Sequence, residues 1–172
     1  MSVTNIVLAG VGGQGSVMAG QIIARTAVLQ GHQVATSEVH GMAQRGGSVF
    51  STVRFGDEVY SPVIPRGEAQ FLLSFEKLEA VRYMPYLGRG GVALVNDQRI
   101  TPTIEALKSA PYPADVEQLL RLRAERIVVV PGLAVAEQLG NPRLANSVLL
   151  GALSTYLELP VHHWRAALSE LV

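Results

Sequence analysis

The sequence predicts a doubly wound α/β fold, and three observations carry that prediction. First, Ile6-Val7-Leu8-Ala9 is a short apolar run of the kind found in strands buried on both faces, and it stops in Gly10-Val11-Gly12-Gly13-Gln14-Gly15. Second, Ser16 to Leu29 follows as a helix whose apolar face is built from Val17, Ile22, Ile23, Ala24, Ala27 and Val28, with Gly31 placed to cap its end. Third, further apolar strand runs recur at 69–74, 92–95 and 127–130, separated by helical or turn sequence.

Gly10, Gly12 and Gly15 fit the spacing G-x-G-x-x-G in the strand–turn–helix context that spacing requires. Such a junction turns unpaired backbone N–H groups and the positive end of a helix dipole toward one point. That suits an anion, or a tight closure against a partner. The expected architecture is therefore Rossmann-like, with a mostly parallel sheet.

Composition narrows the function classes. A chain of 172 residues is long enough for one domain with a substantial core. It is 48% hydrophobic and only 16% charged, which suggests that another subunit covers part of its surface; an ordinary compact α/β monomer is the competing reading. Fourteen basic residues balance fourteen acidic ones, so no net field favours nucleic acid or an anionic membrane. The absence of cysteine excludes a disulfide scaffold, a thiolate zinc site, a cysteine nucleophile and a protein-ligated iron–sulfur cluster within this chain. No apolar stretch approaches the ~18 residues of a membrane span, and no basic region precedes the first apolar run as in a signal peptide. The expected location is cytoplasmic.

Val34 to Ser37 reads as a second strand, completing a strand–helix–strand unit expected to be parallel and right-handed. Glu38 ends it, about 20 residues beyond the glycines, where a dinucleotide fold holds a ribose hydroxyl. A plain loop acid, or a partner for a nearby arginine, is the competing reading. The loop His40-Gly41-Met42-Ala43-Gln44-Arg45-Gly46-Gly47 then offers glycines, one arginine, and amide and imidazole donors. Arg45 beside Gly46 and Gly47 has the fork for a carboxylate or phosphate; a surface arginine at a flexible turn is the alternative. His40 reads either as an acid–base candidate or as a loop or interface histidine.

Val49 to Phe55 alternates as a two-faced strand. The turn at Gly56-Asp57-Glu58 with Val59-Tyr60-Ser61 behind it predicts an antiparallel hairpin near residues 48–61. Glu76 to Tyr83 starts a helix, and Gly88-Arg89-Gly90-Gly91 is a turn into the next strand. Between Pro102 and Pro113 only Ile104 to Lys108 suggests a helical turn. Asp115 to Arg123 is expected as a helix with Val116, Leu119, Leu120 and Leu122 inward. Helices over 134–139, 144–157 and 162–171 complete the chain. His162 and His163 are neighbours that a helix projects in different directions, so a shared metal is not expected. There is no Gly-x-x-x-x-Gly-Lys-Ser/Thr loop, no Gly-x-Ser-x-Gly elbow and no helical zinc pair. No acid–base pair can be nominated, and the domain reads as half of a machine.

Four blocks carry a family resemblance: Gly10 to Gly15; Glu38 to Ser48; Ser61-Pro62-Val63-Ile64; and Phe71 to Ala80, with Asn146 and Leu150-Gly151-Ala152 adding a weaker fifth. Together they resemble the gamma-type subunit of the 2-oxoacid:ferredoxin oxidoreductases over nearly the whole length. The His-Gly-Met-Ala-Gln-Arg-Gly-Gly and Phe-Glu-x-Leu-Glu-Ala blocks are most similar to the arylpyruvate branch, that of indolepyruvate ferredoxin oxidoreductase and its beta subunit. One departure is Gln70, where the family usually carries an aspartate.

The resemblance implies a single gamma-type catalytic domain over 1–172, belonging to an oxidoreductase that acts on the oxo group of its donor. It implies a larger partner subunit bearing thiamine diphosphate, magnesium and iron–sulfur clusters. The complex would decarboxylate a 2-oxoacid oxidatively, reduce ferredoxin and give the acyl group to coenzyme A. The isolated chain is expected to be inactive and to bind no cofactor alone; contacts between two copies are a further expectation. On this reading Gly10, Gly12, Gly13, Gln14, Gly15 and Ser16, with Glu38, His40, Gln44, Arg45, Gly46 and Gly47, form a ligand- or interface-binding surface. They would meet at the carboxyl ends of the strands and face coenzyme A phosphates or the substrate carboxylate. A stand-alone NAD- or FAD-binding domain and a non-catalytic interaction module of the same fold remain as the other readings.

Overall fold

Ile6, Val7, Leu8 and Ala9 are all fully buried, which a strand achieves only when both faces of its sheet are covered. The computed structural model, which describes residues 3–40, 46–100 and 112–172, shows that arrangement. The chain runs β1 (Thr4–Val11), α1 (Ser16–Leu29), β2 (Gln33–His40), β3 (Ser48–Gly56), β4 (Ala69–Ser74), α2 (Lys77–Tyr83) and β5 (Leu87–Asn96). It continues with α3 (Val116–Arg123), β6 (Arg126–Val130), α4 (Gly132–Gln138), α5 (Ala145–Ser154) and α6 (Val161–Leu171). The six strands form one sheet in the order β2-β3-β1-β4-β5-β6.

Alternation along the strands divides the core in two. Ile6, Leu8, Leu73, Leu94 and Val53 pack with Ile23, Leu149, Leu153 and Trp164 from α1, α5 and α6. On the opposite face Val7, Ala9, Leu72 and Val95 meet Ala80, Val81, Val116 and Leu120 from α2 and α3. The end of α1 follows from Gly31. Its φ of +93° lets its N–H reach the Val28 carbonyl and the His32 N–H reach the Ala27 carbonyl, the paired bonds of a Schellman stop.

The doubly wound, mostly parallel sheet is present, with one strand running against the rest. β1 pairs in parallel with β4, β4 with β5, and β5 with β6. β3 is antiparallel to both β1 and β2, with Val53 opposite Ile6 on one side and Thr36 on the other. Two local expectations are corrected here. β1 and β2 point the same way but are not adjacent, because β3 lies between them. The antiparallel strand expected near residues 48–61 is β3, but its hairpin partner is the preceding β2, and Val59 to Ser61 forms no strand. With neighbours on both sides β3 has no free edge, so the returning segment is held by side chains instead. Thr52 Oγ1 donates to the Pro62 carbonyl (2.8 Å), Arg54 Nη1 donates to the Ser61 carbonyl (2.7 Å), and Gln33 Oε1 accepts from the Val59 N–H (3.1 Å).

Leu122, expected to face inward, is 74% exposed; Val116 and Leu120 alone are fully buried along that short helix. Asp115 stands before α3 as expected, but its carboxylate makes no capping bond. Val129 is 48% exposed because β6 is an edge strand, which an apolar run does not reveal. The turn expected over Ile104 to Lys108 lies outside the described residues. Among the described residues no helix is long and apolar enough to cross a membrane.

Replacing Leu94 by alanine, in the middle of β5, should cost about 2–5 kcal/mol of stability. Leu122→Ala should change it by less than about 0.5 kcal/mol. Urea unfolding of the two variants checks both values, and equal losses would refute the assigned face of α3.

Candidate functional site

β1, β4, β5 and β6 all end at one edge of the sheet, and the end of β2 and the start of β3 lie at the same edge, since Val11 pairs with Ser48 and His40 with Val49. The glycine turn, Gly46-Gly47 and the β4–α2 junction therefore converge where open α/β sheets place ligands.

Gln14 closes the glycine turn. Its Oε1 accepts the Val11 N–H (2.7 Å), and its Nε2 donates to the Phe75 carbonyl (2.9 Å) and to Gln98 Oε1 (3.2 Å). The Gln14 N–H itself bonds the Val11 carbonyl at 3.1 Å. Gly12 donates its N–H to the Gly47 carbonyl (2.7 Å) and accepts from the Gly46 N–H (3.3 Å), so the two glycine segments are zipped together. Space dictates glycine at two positions. A Cβ on Gly10 would lie 3.2 Å from both Gln14 Oε1 and Phe75 Cβ. One on Gly15 would lie 2.5 Å from Asn146 Nδ2, at a φ of +76°. Asn146 reaches that point from α5 to donate to the Gln14 carbonyl at 2.7 Å. Gly13 sits exposed at the tip, and Ser16 is buried at the start of α1.

A second layer of polar side chains holds the β4 and β5 ends. Glu76, 1% exposed, caps α2 by accepting the Glu79 N–H (2.9 Å), and also accepts from the Tyr112 hydroxyl (2.6 Å) and the Ile100 N–H (3.3 Å). Burial, and then the Glu76 carboxylate beside it, raises the Tyr112 hydroxyl well above the usual tyrosine range. Glu79 accepts from Ser48 Oγ and pairs with Arg82 Nε at 3.2 Å. Burial pushes its carboxyl upward, with the charge of Glu76 adding, against the opposing pull of Ser48 and Arg82. Lys77 is buried between Asp97 (2.5 Å) and Glu117 (2.7 Å); burial pulls its pKa down, but the two carboxylates outweigh that and raise it. Asn96 Nδ2 donates to the Phe75 carbonyl (3.3 Å) and to Gln98 Oε1 (3.0 Å), and its Oδ1 accepts the Gly132 N–H (3.2 Å).

Of the residues singled out in the sequence, Gly10, Gly12, Gly13, Gln14, Gly15, Ser16, Gly46 and Gly47 are brought to one place. Glu38 is not: it is exposed on β2, with the whole of β3 between its strand and the glycine turn. His40 ends β2, and its side chain, with Gln44 and Arg45, lies outside the described residues. Gln70, at the position of the family's aspartate, accepts the Asn5 N–H (2.7 Å) and donates to the Glu68 carbonyl (3.3 Å) near the opposite edge. His162 and His163 do not diverge; their rings meet edge to face at 4.1 Å. No group of three or more potential metal ligands occurs among the described residues. Asn96 and Gln98 went unassigned in the sequence, and Glu76, Glu79 and Asn146 entered only as parts of the resemblance blocks, with no site role. Their only local signal is polarity at the end of an apolar strand or inside a helix start.

The raised groups set the alkaline behaviour. The folded chain keeps protons on Tyr112 and Lys77 that the unfolded chain releases from about pH 10 upward, so the unfolded state binds fewer protons and stability falls as pH rises. Tyr112→Phe should flatten that fall by up to about one proton, measured by urea unfolding across pH 9 to 11. An unchanged slope would show that Tyr112 is not coupled to Glu76.

Comparison with known proteins agrees with this fold. The family model of pyruvate ferredoxin/flavodoxin oxidoreductase matches residues 5–172. The indolepyruvate oxidoreductase subunit IorB of Pyrococcus horikoshii is 41% identical over 154 residues, covering 87% of this chain and 76% of that protein. IorB of Archaeoglobus fulgidus is 39% identical over 170 residues, covering 96% and 84%. Among solved structures, the gamma subunit of keto/oxoacid ferredoxin oxidoreductase from Geobacter sulfurreducens superposes with a TM-score of 0.70 at 25% identity, over 98% of this chain and 86% of that one. Pyruvate oxidoreductase subunit PORC from Thermotoga maritima has the same fold, with a TM-score of 0.73 at 20% identity over 100% of this chain and 86% of that one. A match over residues 5–172, relatives near 40% identity and a shared fold lead to one conclusion: the chain belongs to the pyruvate ferredoxin/flavodoxin oxidoreductase family.

Proposed function

We propose that this chain is the gamma-type subunit, one domain over 1–172, of a 2-oxoacid:ferredoxin oxidoreductase of the indolepyruvate type. It closes the active site of a larger companion subunit. The complex converts an arylpyruvate to the aryl-acetyl thioester of coenzyme A and passes the electrons to ferredoxin. The likeness to the IorB subunits supports the reaction class and the substrate. The docking of Gly46-Gly47 on Gly12 at the carboxyl edge is the observation that carries the role of this chain.

This chain's residues do not fit the redox groups of such an enzyme. It has no cysteine to ligate a cluster, and its described residues gather no set of acids or histidines around a metal. The clusters are assigned to the companion, and thiamine diphosphate and magnesium with them. What this chain contributes is a preset surface of zipped glycine segments, and Arg45, next to Gly46 in the sequence, is proposed as the cation for a carboxylate or phosphate. The same geometry disfavours a free-standing dinucleotide domain. The N–H groups of Val11, Gly12 and Gln14 are already bonded within the chain, and β3 separates the strand of Glu38 from the turn.

In the complex reassembled with its companion, Arg45→Ala should raise KM for coenzyme A or for the arylpyruvate about tenfold, equivalent to ~1.4 kcal/mol, with kcat little changed. Steady-state kinetics with each substrate varied in turn decides this; two unchanged KM values would remove Arg45 from the site. Oxoacid turnover by this chain alone would overturn the division of labour.

A further inference from the structure

Ser48 opens β3 directly after the glycines that pair with Gly12. Its hydroxyl bonds the buried Glu79 carboxylate and lies 3.1 Å from the Tyr83 hydroxyl, both groups on α2. Two residues on, the Phe50 ring stacks on Tyr83 at 4.7 Å and 18°, and meets Tyr86 at 4.9 Å. The start of α2 is fixed in turn by Glu76, whose carboxylate collects the Glu79 N–H, the Ile100 N–H and the Tyr112 hydroxyl. Phe75, just before it, takes the Gln14 amide on its carbonyl. The two halves of the glycine surface are thus gripped from one place: the turn through Phe75, and the 46–48 segment through Glu79.

We infer that Glu79 is a positioning residue, whose buried carboxylate holds Ser48 and so seats Gly46-Gly47 on Gly12, presenting that glycine surface to the companion's active site. The presentation step rests on the function proposed above; the seating does not. Burying a carboxylate costs free energy unless it is bonded and paired. At 6% side-chain exposure Glu79 bears that cost, and the neighbouring Glu76 carboxylate adds repulsion. The groups that offset it face Glu79 from two elements, Arg82 from α2 itself and Ser48 from β3. Arg82 lies on the exposed side of its helix and would be solvated without the pair. Ser48 is the partner that a packed apolar residue could not hold in direction.

The test compares Ser48→Ala, Glu79→Ala and Glu79→Gln by amide hydrogen exchange on the full chain, reading Gly12 and Gly46 against Leu8 and Leu73 in the sheet. Seating through Glu79 requires exchange at Gly12 and Gly46 to accelerate about tenfold or more in Ser48→Ala and Glu79→Ala, with Leu8 and Leu73 unchanged. Glu79→Gln, whose amide oxygen still accepts from Ser48, should restore most of the protection. Unchanged exchange at Gly12 and Gly46, or equal acceleration at all four amides, would overturn the proposal; the second result would mean general loosening. Ser48→Ala removes one surface-proximal hydroxyl and keeps the test open if Glu79→Ala does not fold. In the assembled enzyme, Ser48→Ala should raise the same KM that Arg45→Ala raises, about threefold or more. Local acceleration with both KM values unchanged would overturn the presentation step and the reading beneath it, while the seating stood.

Discussion

Buried backbone groups must find partners, and at the carboxyl edge of this sheet that requirement organises the site. The Phe75 carbonyl, where β4 gives way to α2, receives the amides of Gln14 and Asn96. Those two amides also share Gln98 Oε1. Gln14 meanwhile stabilises its own turn through the Val11 N–H, and Asn146 reaches in from α5 to the Gln14 carbonyl. Four side-chain amides therefore do what water or a ligand does in an open turn. The surface is organised before any companion arrives, which lowers the ordering cost of forming the shared site.

The placement of β3 gives the fold its character. In a dinucleotide-binding sheet the acid after the second strand stands beside the phosphate turn. Here an antiparallel strand separates β2 from β1, and the residues just before it, Gly46-Gly47, meet the turn instead. The glycine motif is retained in form, but its neighbour has changed from a ribose-binding acid to a second run of glycine. A cysteine-free chain cannot ligate an iron–sulfur cluster through thiolates.

The strands and helices readable from sequence were those whose environment is uniform. The centres of β1, β4 and β5, at residues 6–9, 72–73 and 92–95, are covered on both faces, so those residues are apolar and the runs announce themselves. The pairing of β3 was not readable, because a hairpin partner is chosen by the whole sheet and the local turn at Gly56 points the wrong way. Leu122 misled because α3 is short and rests on one side only. At the site, glycine spacing revealed the turn but not what fills it. Gln14 finds Phe75 across 61 positions, Asn146 finds Gln14 across 132, and Glu79 finds Ser48 across 31. Nothing in the local pattern encodes such meetings.

β2 closes one side of the sheet, and among the described residues its outer hydrogen-bonding groups have no strand beside them. Over eight residues it carries Glu38 as its single acidic or basic charge, no proline and no lysine, which are the usual guards against unwanted strand addition. A ladder so lightly defended invites aggregation at high concentration. Production of the chain together with whatever shields that margin is thus a requirement of its architecture as much as of its chemistry.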